Sequence, residues 1–210
     1  MAVLPMFPLG GVLFPSLVLP LKVFESRYRA LVHDCLAGDP EFGVVLIERG
    51  SEVGGGDVRT HVGTVARILQ CDELPDGRLA LLTVGTHRFR VNAWLPDDPY
   101  PLADVDLWPD PDDGDPALAS AAQSAVALLR RVLALATEAG VVAVPSTVEL
   151  ADDPALISHQ AAALSPLGPF DQQRLLAEPS AKARLEALHT LLVDAEAVLS
   201  MTLAGGDDHP

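Results

Sequence analysis

The hydrophobic pattern changes period near residue 110. Before that point apolar residues fall in short β-type runs; after it they recur three and four positions apart. Residues 3–9 and 12–20 are apolar runs parted by Gly10-Gly11 and read as two strands with a turn between them. A helix is expected from Ser26, its cap, to about Leu36, with Tyr28, Leu31, Val32 and Cys35 near helical spacing and Gly38 ending it. EFGVVLIE at 41–48 is a short, β-branched, apolar run and reads as a buried strand. Residues 50–59, with Gly54, Gly55 and Gly56, read as a flexible loop. Strands are expected at 61–70 and 78–85, joined by the Asp-Gly turn of LPDGRL, and again at 87–95 and 102–108. Within 87–95, Phe89, Val91, Ala93 and Leu95 face one way, and Arg88, Arg90, Asn92 and Trp94 the other.

WPDPDDGDP at 108–116 breaks the chain. Beyond it, residues 117–138 place Leu118, Ala122, Ala125, Leu129, Val132 and Ala136 on one helical stripe. Asp152 or Asp153 caps a second helix with Pro154 in its first turn. A short helix follows at 170–177, and a long one over 180–201, capped by Ser180 and carrying Leu185, Leu188, Leu192 and Leu199 on its apolar face. The pattern predicts an α+β chain: a β subdomain at 1–108 with one inserted helix, an acidic, proline-rich solvated linker at 109–116, a helical subdomain at 117–203, and a disordered tail at 204–210.

Composition narrows the function. The chain has 210 residues, 49% of them hydrophobic, which is enough for a substantial core. Formal charge is −15, from 29 acidic and 14 basic residues, so the surface repels phosphate backbones and anionic lipid. The opening run from Pro5 to Phe24 has only Lys22 as a charge, yet Pro5, Pro8, Pro15 and Pro20 each delete a helical donor. No Lys or Arg precedes it, as a signal peptide would require. No other stretch is expected to reach membrane-spanning length free of charge or proline. With two cysteines far apart, Cys35 and Cys71, a reducing, cytoplasmic setting is expected.

Candidate chemistry is sparse. No Gly-Lys pair makes a phosphate loop, so no nucleotide is expected. The six histidines lack ligand spacing, and the acidic clusters lack the calcium-loop pattern, so no metal or cofactor is expected. No Ser, Cys, His or Lys arrangement marks a nucleophile. Arg88 and Arg90 share a strand face and are expected to pair with Glu25, as a structural ion pair, or with a ligand carboxylate.

Several segments, in order, resemble the Lon protease N-terminal, substrate-binding domain. They are Pro8-Leu9, Leu13-Phe14-Pro15, Leu19-Pro20-Leu21 and Phe24-Glu25-Ser26-Arg27-Tyr28, then VGTVARI (62–68), LPDGR (74–78) and VGTHRFRV (84–91). QQRLLAEPSAKARLEALHTLLVDAEAVL (172–199) is similar to the stretch before and through that family's last long helix. The resemblance implies a PUA-like β pseudo-barrel followed by a helical bundle. It also implies a non-catalytic, ATP-independent, bacterial polypeptide-binding module without the ATPase and Ser-Lys protease modules, whose partners are polypeptide substrates or a protease.

Candidate peptide contacts are Phe14, Pro15, Leu17, Phe24 and Arg27, which predicts exposed apolar area within 13–24. The rival reading is a small-molecule or regulatory ligand held in a pocket between barrel and helices. A hydrolase and, on the barrel alone, a nucleic-acid binder complete the alternatives. Nothing in the pattern sets the oligomeric state, and a weak dimer is compatible with it.

Overall fold

The computed structural model describes residues 2–50, 52, 56–141 and 145–206. The expected glycine loop falls partly on 53–55, and the expected tail partly on 207–210, both outside the described residues. The chain divides into two units, Met1–Pro109 and Asp110–Pro210.

The first unit runs β1 (Ala2–Leu9), β2 (Val18–Val23), α1 (Ser26–Ala37), β3 (Glu41–Arg49), β4 (Val58–Glu73), β5 (Leu79–Leu95) and β6 (Leu102–Leu107). The sheet order is β2-β5-β4-β3-β1-β6, and a further β5–β6 pairing closes it into a barrel. Two strands, β4 and β5, are long enough for each end to take a different neighbour. Leu79–Val84 pairs with β2, and Phe89–Leu95 with β6. The two strands expected at 78–85 and 87–95 are therefore one, β5.

Both faces of the central strands are buried, which is why β3 is apolar from Phe42 to Ile47 rather than alternating. Phe7, Phe42, Val44 and Ala66 pack on one side, with Tyr28, Leu31, Val32 and Cys35 of α1. Met6, Val45, Val65, Phe89 and Val105 pack on the other. The Phe89 ring fills space left by glycines: a Cβ on Gly43 or Gly63 would collide with it, and one on Gly63 would also strike the Val44 carbonyl oxygen. A register shift between Val91 and Ala93 re-aims the end of β5. Trp94, expected opposite Phe89, packs instead against the Met6–Phe89 cluster.

Residues 12–17 are not a strand. Pro15 and Ser16 form a turn in which the Leu17 amide donates to the Phe14 carbonyl at 3.3 Å, with Ser16 at φ 64°. Proline's fixed φ at the second turn position, and a left-handed third residue, win over the apolar run. At α1, Ser26 is already helical; Glu25 holds the cap position and makes no side-chain capping bond.

The second unit comprises α2 (Leu118–Glu138), α3 (Pro154–Leu164), α4 (Pro169–Leu176) and α5 (Ala181–Gly206). Leu118, Ala122, Ala125, Leu129, Val132 and Ala136 of α2 are buried as the stripe predicts. Asp153 caps α3, accepting from the Ala155 amide at 2.8 Å, and Ser180 accepts from the Ala183 amide at 3.1 Å at the start of α5. The helix α5 continues to Gly206, past the expected end of order at 203. By length and composition α2 and α5 are apolar enough to cross a membrane, yet neither is free of charge: α2 carries Arg130 and Arg131, and α5 carries Asp194 and Glu196. Residues 110–116, expected as solvated linker, fold into this unit. Asp112 accepts from the Ala181 and Lys182 amides, both at 2.9 Å, and Asp110 is bound to Arg184.

Candidate functional site

The segment 13–24 enters the barrel before it leaves it. Thr64, fully buried, donates to the Leu13 carbonyl at 2.6 Å, and Thr83 donates to the Leu19 carbonyl at 2.8 Å. Two bonds between backbones, Ser16 N–H to Gly85 O at 2.8 Å and Gly85 N–H to Leu17 O at 2.9 Å, strap the turn to β5. A Cβ on Gly85 would strike the Phe14 carbonyl, so the strap needs glycine there. As a result Phe14 is fully buried and Pro15 is buried. Both were expected to touch peptide; the structure places them in the core of the barrel instead.

From Val18 the chain alternates. Val23 points into the core, and Leu19 and Leu21 are half-buried against it. Val18, Pro20, Lys22 and Phe24 are exposed, with Phe24 at 55% and Val18 at 57%. Leu17 is half-buried. Along its other edge β2 has no strand partner among the described residues.

A slot of about 210 Å³ opens where Phe7 and Leu9 of β1 face residues 20–23 of β2 and Phe24 just beyond it; the two strands do not pair. Its lining includes Tyr28, Glu25 and Glu52. Tyr28 is stacked on Phe7, ring centroids 4.2 Å apart, and its hydroxyl is pushed up to about 12 by burial. Arg27 covers the other side of Tyr28 at 4.4 Å from the ring centre, and its Nε donates to Glu25 at 3.1 Å. Arg27 also reaches the Glu52 carbonyl at 3.4 Å. The arrangement joins an exposed aromatic, an apolar slot and a fixed cation on one side of the barrel. It offers a binding surface, and the slot's described lining holds no Ser, Thr, Cys or His.

Arg88 and Arg90 do not meet Glu25. Glu25 pairs with Arg27, two residues on. The two arginines lie on Trp108, at 4.3 Å and 3.4 Å from the indole ring centre, and the Trp108 amide donates to the Arg88 carbonyl at 2.8 Å. A cation above an indole face is held by the ring quadrupole, a partner that strand alternation does not reveal. Neither arginine lines the slot.

Two further charged groups escaped the sequence reading. Arg59 binds Asp57 at 2.6 Å and Asp97 at 3.0 Å beside Trp94, and Tyr100 donates to Asp34 at 2.7 Å. Asp97 is 38 positions from Arg59, and no local periodicity links them. A serine, a histidine and an aspartate also meet in the second unit: Ser158, His159 and Asp110, around Arg184. Ser158 is fully buried and gives its proton to the Ala155 carbonyl at 2.6 Å, so it is a structural hydroxyl and not a nucleophile. Among the described residues no group of three metal-ligating side chains converges.

Comparison with known proteins places this geometry. Residues 3–194 match the ATP-dependent protease La (LON) substrate-binding domain. The chain is 37% identical to a Lon protease of Cytophaga hutchinsonii over 112 residues, which is 52% of this chain and 14% of that protein. It is 30% identical to a Lon protease of Anaeromyxobacter dehalogenans over 205 residues, 96% of this chain and 24% of that protein. It thus spans between about a seventh and a quarter of the length of these curated relatives. The crystal structure of a Lon N-terminal domain protein from Xanthomonas campestris superposes with a TM-score of 0.68 at 33% identity, covering 90% of this chain and 98% of that one. The N-terminal domain of the Mycobacterium avium complex Lon protease shares the fold, with a TM-score of 0.63 at 17% identity over 93% of this chain and 98% of its own. With residues 3–194 matched by that domain model, the chain belongs to the Lon substrate-binding domain family.

Proposed function

We propose that this chain binds polypeptide through the face formed by β2 and the start of α1, and that it delivers bound chains to a protease. The observation that carries the reading is Phe24, a large aromatic 55% exposed at the mouth of an apolar slot. Val18 and Leu17 extend the apolar surface along β2, and Arg27, pinned between Tyr28 and Glu25, supplies one oriented cation. Aromatic anchors beside an apolar pocket are the usual source of binding energy in peptide recognition.

The mode is side-chain capture rather than strand addition along β2. Pro20 lies in β2 and Pro8 in β1, and neither has an N–H to offer an incoming strand. Unfolded chains with exposed apolar side chains are the ligand class this surface fits. The acidic surface, at −15, disfavours nucleic acid.

The test is capture of a reduced, thiol-carboxamidomethylated, permanently unfolded protein by the immobilised chain. Phe24→Asp and Arg27→Ala should each weaken retention at least tenfold, as for loss of a hot-spot side chain. Retention unchanged in both variants would remove this face. A protease from the same cell retained with the wild-type chain would support delivery, and its absence would leave binding without recruitment.

A further inference from the structure

A carboxylate of this chain already sits at the Phe24 slot. Glu52 lines the slot, and its Oε1 accepts from the Gly10 N–H. That amide is available because the β1–β3 ladder ends one residue earlier, with Leu9 opposite Leu46. It lies next to the slot because Leu9 is itself a lining residue. Glycine lets the carboxylate come close: a Cβ on Gly10 would stand 3.0 Å from Glu52 Oε1. A Cβ on Gly11 would meet nothing within 4 Å, so the chain leaves room beside this amide.

Charge favours an anion here, in an otherwise acidic chain. Lys22 and Glu25 line the slot with Glu52, and Arg27 lies over Tyr28, another lining residue. With Glu52 in place, two cations face two carboxylates. Without it, Lys22 and Arg27 outnumber Glu25. Arg27 keeps its Nε on Glu25, while its Nη2 makes a long bond of 3.4 Å to the Glu52 carbonyl, which a nearer anion would outcompete. An ionised acceptor makes a stronger bond to a backbone N–H than a neutral one does. Backbone amides recur as seats for chain-terminal carboxylates.

The slot measures about 210 Å³, below the roughly 300–1,000 Å³ of pockets that hold drug-sized ligands. It has room for one apolar side chain. The last residue of a polypeptide carries its side chain and its α-carboxylate on the same Cα, so a chain end fills slot and seat together. An internal aspartate or glutamate brings its carboxylate on the side chain itself, which leaves no apolar group of that residue for the slot.

We propose that the Gly10 amide and the Phe24 slot form a seat for the C-terminal end of a polypeptide whose last residue is apolar, with Glu52 holding the carboxylate position as a built-in competitor. The proposal rests on the reading of the chain as a polypeptide-binding module and gives that same face its ligand class. A ligand must displace Glu52, so its apparent affinity falls with the fraction of molecules in which Glu52 holds the seat.

The probes are three peptides labelled with fluorescein at the N-terminus. Gly-Ser-Gly-Ser-Ala-Leu carries a free C-terminal carboxylate, and the second probe is its C-terminal amide. The third, Gly-Ser-Gly-Ser-Leu-Glu as the amide, offers a side-chain carboxylate instead. Binding is read by fluorescence anisotropy. The free acid should bind the wild-type chain about threefold more tightly than its amide, and Glu52→Ala should widen that ratio to about tenfold or more by tightening the acid. The Leu-Glu amide should bind no better than the Ala-Leu amide. Gly10→Pro removes the N–H and should bring acid and amide to equal affinity, with the fold checked by circular dichroism. Glu52→Ala, at an exposed side chain, keeps the test decisive if Gly10→Pro misfolds. Equal affinity of acid and amide in Glu52→Ala, or an acid affinity that Glu52→Ala leaves unchanged or weakens, overturns the seat. A Leu-Glu amide that matches the acid overturns the assignment to chain ends. If the unfolded protein is retained through Phe24 under those outcomes, the polypeptide-binding reading stands without the seat. Retention of neither peptides nor unfolded protein removes both.

Discussion

Arg184 is fully buried in the helical unit and holds both carboxylate oxygens of Asp110, with Nη2 at 2.7 Å from Oδ1 and Nη1 at 3.0 Å from Oδ2. Ser158 and His159 contact the same guanidinium at 3.0 Å and 3.1 Å. Asp110 is the first residue of its unit, so this pair ties the entry of the chain to α3 and α5. Removing one member leaves a charge buried without its counter-ion. Asp110→Ala and Arg184→Met are each expected to destabilise by about 3–5 kcal/mol, and the double variant by much less than the sum. Urea unfolding of the four proteins, completing a double-mutant cycle, measures this; additive losses would show that the pair is not coupled.

Asp112 links acid stability to one helix end. Burial pushes its carboxyl up, but the Lys182 and Ala181 amides outweigh that and hold it below the usual carboxylate range. A depressed folded value means that its contribution is fully present above the unfolded carboxyl pKa of about 3.9 and is lost as pH falls through the folded value. Asp112→Asn should therefore lower stability at neutral pH and flatten the acid limb below about pH 4. Thermal melts between pH 2 and 7 check this; an unchanged acid limb would assign it to other carboxylates.

Phe14 and Phe24 sit ten positions apart in one apolar segment and should behave oppositely. Phe14→Ala empties a fully buried site and should cost about 3–5 kcal/mol. Phe24→Ala, at an exposed position, should stay within about 0.5 kcal/mol while weakening polypeptide retention. Equilibrium unfolding and the retention assay together separate the two roles. Loss of retention in both, with stability intact in both, would contradict the burial assigned to Phe14.

The two thiols should react at different rates. Cys35 is 3% exposed, and burial, with Asp34 beside it, pushes its thiol up to about 11. Cys71 is half-buried and free. Iodoacetamide at pH 8 should label Cys71 first and Cys35 only under unfolding conditions, since the thiolate is the nucleophile. Mass spectrometry of the labelled peptides reads the order.

Much of the fold was legible because it is written in local periodicity. The helical stripe of α2, the caps Asp153 and Ser180, and the apolar run from Phe42 to Ile47 in β3 each follow from residues within one element or at its start. The family, too, was carried by short motifs in order. The candidate site was legible only in part. Phe24 and Arg27 emerged on the surface, whereas Phe14 and Pro15 turned inward, and an apolar residue carries no mark that separates anchor from core.

What the sequence determined by itself is the strand-then-helix order, the break near 110 and the exclusion of a helix through the proline-rich start, since each depends on spacing and on proline's missing donor. The tertiary structure alone decided the rest. It merged two strands into β5, set Arg88 and Arg90 on Trp108, drew Asp110 and Asp112 into the helical unit, and brought Glu52 to the Gly10 amide. These depend on strand pairing and on ion pairs between residues as many as 74 positions apart. Such contacts are selected by the space left after the whole core has closed, and no window along the chain contains both partners.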